Sequence, residues 1–257
     1  MKVTYQITTF TASILMSSFN QLAPMFPKFL LFSLLLISAT PIDHLQSDFQ
    51  RAVETLRTKK KAINQFDNGL STDENRTALS IVFPEVIRYN SFSDFIETKT
   101  LEWVYVDYGA ERADFSIGLF QMKPSFIEKL EEATKSDPSV FRQFSDILNY
   151  PSTLSAVEIR RTRVARMQNF ETQIGYAQIF SLVCNAKFKN EVFANSTEKV
   201  KFFAAAYNFG FNKDVKDIKN WTTKKAFPYG ANYKGKQMIY SEISANFYAK
   251  YANEFFD

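Results

Sequence analysis

Apolar residues recur at helical spacing along the chain beyond residue 40. The first stripe comprises Leu45, Phe49, Val53, Leu56, Ile63 and Phe66. Apolar side chains three and four residues apart fall on one face of an α-helix, so this stripe predicts an amphipathic leading helix. The second stripe comprises Leu79, Val82, Phe83 and Val86. It follows a capping-box pattern from Ser71 to Glu74, which predicts a helix beginning near Thr72.

Pro84 interrupts the second stripe immediately before Glu85. Proline lacks a backbone N–H and crowds the preceding turn, so we expect a kink or a restart of the helix at this point. Farther along, the run from Trp103 to Val106 is compatible with a short strand or with an aromatic helix.

Capping residues and apolar runs predict more helices in the second half of the chain. The expected segments are Lys123 to Leu130, Ser139 to Leu148, Ser155 to Phe188, Asn195 to Asn208 and Ser241 to Ala252. Gly175 is a candidate break within the longest of them, and Gly210 is a candidate stop after Asn208.

The composition favours packed helices. Of 257 residues, 46% are hydrophobic, with 27 Phe and 12 Tyr but only 7 Gly, which is more typical of a helical core than of a turn-rich β protein. No repeat, low-complexity tract or Pro/Gly/Ser linker divides the chain after residue 40. We therefore expect a mainly α domain, with a small β element left open.

The N-terminus has the pattern of an export signal. The run from Phe29 to Ile37 contains eight apolar residues and one serine, follows Lys28 and precedes small residues. It is shorter than the about 20 residues that a membrane-spanning helix needs. We expect residues 1–39 to be an upstream extension and cleaved signal peptide, with Met25 as an alternative start. Residues 40–70 then form an N-terminal helical segment and residues 71–257 the main domain.

Charge and residue usage exclude several kinds of chemistry. Residues 1–39 carry two lysines and no acid, so their removal would take the net charge from +4 to +2, and no Arg-rich tract indicates nucleic acid binding. The chain has one histidine, His44, and one cysteine, Cys184, so no metal site or His-based triad is predicted. It also lacks the glycine-rich motifs of nucleotide-binding proteins, and no cofactor is predicted. Carboxylate, amide and phenol groups remain, and glycoside cleavage uses that set.

Three patches occur in a suggestive order. They are Phe-Pro-Glu-Val-Ile-Arg-Tyr at 83–89, Ser-Ile-Gly-Leu-Phe-Gln-Met-Lys-Pro at 116–124 and Ala-Ala-Tyr-Asn-Phe-Gly at 205–210. Together they resemble the soluble lytic transglycosylase family. The stretch from Gln173 to Ala177 is similar to the central helix of that family. The resemblance implies a lysozyme-like fold of the goose-type and lytic transglycosylase kind.

The resemblance also implies a site. Glu85 would be the single catalytic acid and base, with Gly118 and Gln121 facing the sugars, Tyr207 hydrogen-bonded to Glu85, and Asn208 lining the groove. The substrate would be peptidoglycan glycan strands, cleaved to 1,6-anhydro ends without metal or cofactor. The mature protein would be a monomer in the periplasm or cell envelope without a stable membrane anchor.

Some residues depart from the family pattern, with Val86 in place of Ser and Phe120 in place of Met. The segment between Glu85 and Gly118 is also long, and it contains Asp107, Glu111 and Asp114. If one of these acids reached the cleft, it could position a water for hydrolysis, as in a muramidase. A non-catalytic wall-binding component of an envelope or secretion machine is the other alternative.

More ordinary roles are also open for some of these residues. Gln121 could satisfy backbone groups of its own loop, and Asn208 could be a simple helix terminus. The four arginines between Arg160 and Arg166 are expected to form a solvated helix face.

Overall fold

The computed structural model describes residues 41–66, 68–90 and 95–256. These residues form twelve α-helices, a 3-10 helix and one two-stranded sheet. The α-helices are α1 (Pro41–Arg57), α2 (Lys60–Gln65), α3 (Thr72–Asn90), α4 (Phe95–Tyr108), α5 (Pro124–Thr134), α6 (Pro138–Gln143), α7 (Ser145–Leu148), α8 (Ala156–Gln168), α9 (Phe170–Lys187), α10 (Ser196–Phe209), α11 (Val215–Trp221) and α12 (Tyr240–Lys250). The 3-10 helix is Ala252–Phe255. The expected mainly α class is confirmed, while the predicted export segment 1–39 lies outside the described residues.

Helix α3 is the centre of the packing. Helices α1, α9, α10 and α12 all pack against it, and every residue from Thr77 through Ile87 is buried. A helix enclosed on all sides buries polar as well as apolar positions, and Glu85 is one of them.

The start of α3 follows the sequence pattern. The Ser71 backbone N–H donates to Glu74 Oε2 at 2.9 Å, and the Glu74 N–H donates to Ser71 Oγ at 3.3 Å, which completes the predicted capping box. The predicted restart at Pro84 is wrong, because α3 continues through this buried proline to Asn90. Pro84 cannot donate a backbone hydrogen bond, which weakens a helix at that point. The helices packed around α3 stabilise it in spite of this loss.

The predicted leading helix is divided into α1 and α2 at residues 58 and 59. Ala52, Val53 and Leu56 of α1 are fully buried in the same core as α3. Arg57 also forms a two-pronged ion pair with Glu254 beyond α12. The segment 40–70 therefore shares its core with the rest of the described chain.

The open choice at 103–106 is settled as helix, since these residues lie within α4. The long predicted helix 155–188 breaks at Asn169, which caps α9, and not at Gly175. A Cβ at Gly175 would overlap Ile147 and Phe66, so glycine here allows close packing inside α9. Cys184 on the same helix is fully buried.

The arginine run of α8 is only partly solvated, which corrects the expected solvent-facing role. Arg163 is buried and pairs with Glu131 at 2.7 Å, while Arg160 donates to the Val106 and Asp107 carbonyls. Arg166 donates to the Asn149 carbonyl at 2.8 Å. These long side chains join α8 to its neighbours because their charged ends find carbonyls and carboxylates there.

The β structure is small, and a small β element is what the sequence analysis left open. Strands β1 (Lys225–Phe227) and β2 (Met238–Ile239) form an antiparallel hairpin that leads directly into α12. A separate bridge joins Ile117 to Met122. Within the described residues, no helix has the length and apolar character needed to cross a membrane.

Candidate functional site

Glu85 is a buried acid. It lies in the last third of α3, where α10 and α12 pack, and is only 4% exposed. Burial removes water from the carboxylate and raises the pKa of Glu85 from its ordinary value of 4.5 to about 7. A carboxyl with this pKa keeps a substantial protonated fraction at neutral pH, which an acid catalyst requires.

Positive and polar groups oppose this effect of burial on the pKa of Glu85. Arg88, one turn farther along α3, places Nη1 at 3.5 Å from Glu85 Oε2. Arg88 is the largest of the groups that lower the pKa, followed by the Tyr240 hydroxyl and the Lys123 charge. Burial outweighs them, so the carboxyl lies between the protonated and the ionised form near neutral pH.

Three polar atoms around this acid lack hydrogen bonds. They are Glu85 Oε2, Arg88 Nε and the Tyr240 hydroxyl, all inaccessible to solvent. The Tyr240 hydroxyl is close enough to the carboxyl to lower the pKa of Glu85. Neither Glu85 Oε2 nor the Tyr240 hydroxyl oxygen, however, has a hydrogen bond of normal geometry. Buried polar groups are paired in the great majority of cases, and these three unpaired atoms all lie around the Glu85 carboxyl.

The loop from Ile117 to Met122 forms a tight turn held by α9. Gly118 has a φ of 73° and Gln121 a φ of 49°. The Phe120 backbone N–H donates to Gln173 Oε1 at 2.9 Å, and Gln173 is 1% exposed. A Cβ at Gly118 would overlap the Gln173 amide, so this position needs glycine for both its backbone angle and its space.

Tyr207 is brought to this loop, but it does not make the predicted bond. Its hydroxyl donates to the Phe120 carbonyl at 2.9 Å and not to Glu85. Its ring is fixed edge-on by Phe126 and Phe180. Burial and the charge of Glu85 raise the pKa of Tyr207 well above its ordinary value, so the phenol stays protonated near the acid.

The two predicted amides have structural bonds. Gln121 Nε2 donates to the Gly118 carbonyl of its own turn at 2.9 Å. Asn208 Oδ1 accepts from Trp221 Nε1 at 2.9 Å and so joins α10 to α11. The structure therefore brings Glu85, Tyr207 and the 117–122 loop together, whereas the side chains of Gln121 and Asn208 are engaged in the scaffold.

Three residues of this arrangement were not among the predicted site residues. Arg88 could have been found from its i+3 spacing to Glu85, which places both on one helix face. Gln173 lies in the stretch that resembles the family's central helix, but no local pattern reveals its bond to Phe120. Tyr240 comes from α12, more than 150 residues away, and no sequence pattern links it to Glu85.

The acids of the long segment lie elsewhere. Asp114 accepts from the Ser125 N–H and hydroxyl at 2.9 Å each, which ties it to the start of α5. Asp107 and Glu111 are exposed. Within the described ranges, no three His, Cys, Asp or Glu residues are grouped as a metal site would need.

Comparison of the chain with models of protein families, with curated proteins and with solved structures finds no match.

Proposed function

We propose that this protein is a peptidoglycan lytic transglycosylase of lysozyme-like fold, with Glu85 as its acid and base. The observation that carries the proposal is the buried Glu85 carboxyl, whose pKa is raised to about 7 beside unpaired polar atoms of Arg88 and Tyr240. The three ordered sequence patches add to it, because two of them meet where Tyr207 contacts the Phe120 carbonyl.

The proposed reaction needs only one carboxyl. Protonated Glu85 donates its proton to the glycosidic oxygen between MurNAc and GlcNAc as the carbon–oxygen bond breaks. The N-acetyl group of the substrate stabilises the developing cation. The Glu85 carboxylate then removes the proton of the substrate's C6 hydroxyl, whose oxygen attacks the anomeric carbon. The products are a 1,6-anhydro end and a free hydroxyl, and Glu85 is again protonated.

The surroundings of Glu85 favour this outcome over hydrolysis. Among the described residues, the groups that lower its pKa most are Arg88, Tyr240 and Lys123, and none of these three is a carboxyl. An inverting hydrolase uses a second carboxylate to activate water. Among the acids of the long segment, Asp114 is already bound at the start of α5. A muramidase is therefore the weaker form of the same proposal.

The proposal also covers the location and the state of the protein. A protein that acts on peptidoglycan would be exported to the periplasm or cell envelope, as residues 1–39 predict from the sequence. We propose a mature form without a stable membrane anchor that acts as a monomer, with no metal, cofactor or nucleic acid involved.

One observation favours a second candidate, a non-catalytic wall-binding component. Arg88 Nη1 lies 3.5 Å from Glu85 Oε2, and a cation at this distance favours the ionised carboxylate. An ionised Glu85 would bind a polar group of a glycan without donating a proton to it.

Digestion of purified peptidoglycan tests both candidates. We expect wild type to release 1,6-anhydro muropeptides, detected by mass spectrometry, and Glu85→Gln to lower the rate by about 10²- to 10⁴-fold because the amide cannot donate a proton. Glu111→Gln, which changes an exposed acid, is the matched control and should keep full activity. Equal rates for wild type and Glu85→Gln would reject the proposal, and products with reducing ends would identify a muramidase.

A further inference from the structure

The first strand of the hairpin and the residues on either side of it carry an unusual set of side chains. Residues 224–237 read Lys-Lys-Ala-Phe-Pro-Tyr-Gly-Ala-Asn-Tyr-Lys-Gly-Lys-Gln, with four lysines and no acid. We call residues 228–237 the hairpin loop. Lys224 and Lys225 lie at its base, Lys234 and Lys236 lie within it, and all four are exposed. The loop is thus a local positive surface on a chain of modest net charge.

Two tyrosines of the hairpin loop form an exposed aromatic pair. The rings of Tyr229 and Tyr233 meet edge to face, with centroids 4.7 Å apart and an interplanar angle of 70°. They are 40% and 41% exposed, respectively. Each ring therefore has a partner that fixes its orientation and a large area left in solvent, which suits a ligand with a flat apolar side.

The hairpin loop is held in shape by its own side chains. Gln237 Nε2 donates to the carbonyls of Gly230, Ala231 and Tyr233 at 3.1, 2.9 and 2.9 Å. The Tyr233 ring covers Gly235 so closely that a Cβ there would overlap it. A surface ordered before binding loses less conformational entropy when a ligand binds.

The hairpin loop also leads into the proposed catalytic site. Strand β2 is only Met238–Ile239, and the next residue is Tyr240, whose hydroxyl approaches Glu85. Only the two residues of β2 therefore separate the hairpin loop from Tyr240, one of the groups that act on the Glu85 carboxyl.

We infer that the hairpin loop is a second binding surface for the glycan, with Tyr229 and Tyr233 stacking on sugar rings and the lysines pairing with carboxylates of the same polymer. This inference rests on the proposed function, because it takes the polymer bound at Glu85 as the ligand. The stem peptides of peptidoglycan carry carboxylates, so the positive loop is complementary to them in charge. The four lysines at 224–236 lie on one short hairpin, whereas single-stranded nucleic acid binds along grooves that follow several phosphates.

The experiment measures binding to purified peptidoglycan sacculi by cosedimentation, with all variants in a Glu85→Gln background so that the polymer is not cleaved. We expect Tyr229→Ala with Tyr233→Ala to raise the apparent Kd about tenfold, as the loss of two aromatic contacts predicts. Lys224→Glu with Lys234→Glu changes two exposed side chains of the hairpin and should weaken binding most strongly at low salt. Circular dichroism checks that each variant is folded.

The matched control changes the same kinds of group elsewhere, at the exposed Tyr108 and Lys61, and should bind like the parent. Unchanged binding in both hairpin-loop variants would overturn the inference, while Glu85-dependent cleavage by the otherwise wild-type chain would still support the proposed function. In that active chain, the loop variants should raise KM on long strands and leave kcat unchanged. If the same variants lose binding to phosphatidylglycerol vesicles or to single-stranded DNA but keep binding to sacculi, the glycan is the wrong ligand and the inference fails.

Discussion

At the scale of single residues, Glu85 couples the proposed chemistry to stability. Its pKa is about 7 in the folded protein and 4.5 when unperturbed, so the folded state favours the protonated form. The stability that this carboxyl contributes is fully present below pH 4.5 and is lost as the pH rises through about 7. Above that pH the folded protein contains a buried carboxylate that burial disfavours.

Glu85→Gln should therefore stabilise the protein at alkaline pH. Against wild type we expect an increase of roughly 3 kcal/mol in the free energy of unfolding at pH 8, and little difference at pH 4.5, because the amide never ionises. Urea unfolding at both pH values measures it. Glu111→Gln, which changes an exposed acid, is the matched control. An equal effect of Glu85→Gln at both pH values would contradict the raised pKa.

Arg88 should affect the pH at which the proposed activity is lost. Its charge lowers the pKa of Glu85, so Arg88→Gln should raise that pKa and move the alkaline limb of kcat/KM to higher pH. A purely structural role would lower the activity without moving the limb. Lys123→Gln is a useful comparison, because Lys123 acts on the same carboxyl more weakly and should shift the limb less.

Gly118 tests the connection between α9 and the loop at 117–122. Gly118→Ala should destabilise the protein by about 2 kcal/mol or more and reduce cleavage, because the methyl group would displace the Gln173 amide from Phe120. Gly109→Ala is the matched control, since Gly109 also has a positive φ but open space around its Cβ position. Both variants have the backbone strain of a positive φ, so the difference between their thermal unfolding temperatures measures the effect of the Gln173 contact. Equal losses in the two variants would show that the contact contributes nothing.

At the scale of elements, one buried network joins α5, α8 and α9. Glu131 of α5 accepts from Arg163 of α8 at 2.7 Å and from Tyr176 of α9 at 3.0 Å. Tyr150 donates to the same carboxylate at 2.7 Å. Several charge-assisted bonds to one buried group fix the relative positions of these helices, and α9 in turn holds the 117–122 loop.

Breaking this network should be costly. Arg163→Met leaves Glu131 buried without its cation, and we expect a loss of about 3–5 kcal/mol in the free energy of unfolding. Lys135→Met, which breaks the exposed pair with Glu132, should cost less than about 1 kcal/mol. Chemical denaturation of both variants measures the difference, and comparable losses would mean that Arg163 acts only as surface charge.

The helices were predicted where local chemistry determines them. The capping residues Ser71 and Asn195 mark the starts of α3 and α10, and Gly210 marks the end of α10, because each bond lies within one turn. Pro84 and Gly175 misled the prediction, since tertiary packing maintains α3 through the proline and the glycine serves helix contact. Local propensity does not contain that information.

At the scale of the whole molecule, the burial of α3 explains which part of the candidate site the sequence could reveal. Glu85 lies on an apolar stripe and within a recognisable patch, so it could be found. Tyr240 and the Gln173 contact depend on how distant helices pack around α3. The same limit applies to the proposed lysozyme-like fold, because a topology is an arrangement of long-range contacts that no short motif specifies.

The enclosed position of Cys184 has a practical consequence for following substrate capture. It is the one cysteine of the chain, it is fully buried, and burial raises the pKa of its thiol well above the ordinary value. Maleimide dyes react with accessible thiolates, so the native chain should stay unlabelled. A cysteine introduced at the exposed Asn232 would then carry a fluorophore at one defined point, and its emission would test whether the proposed glycan ligand binds there.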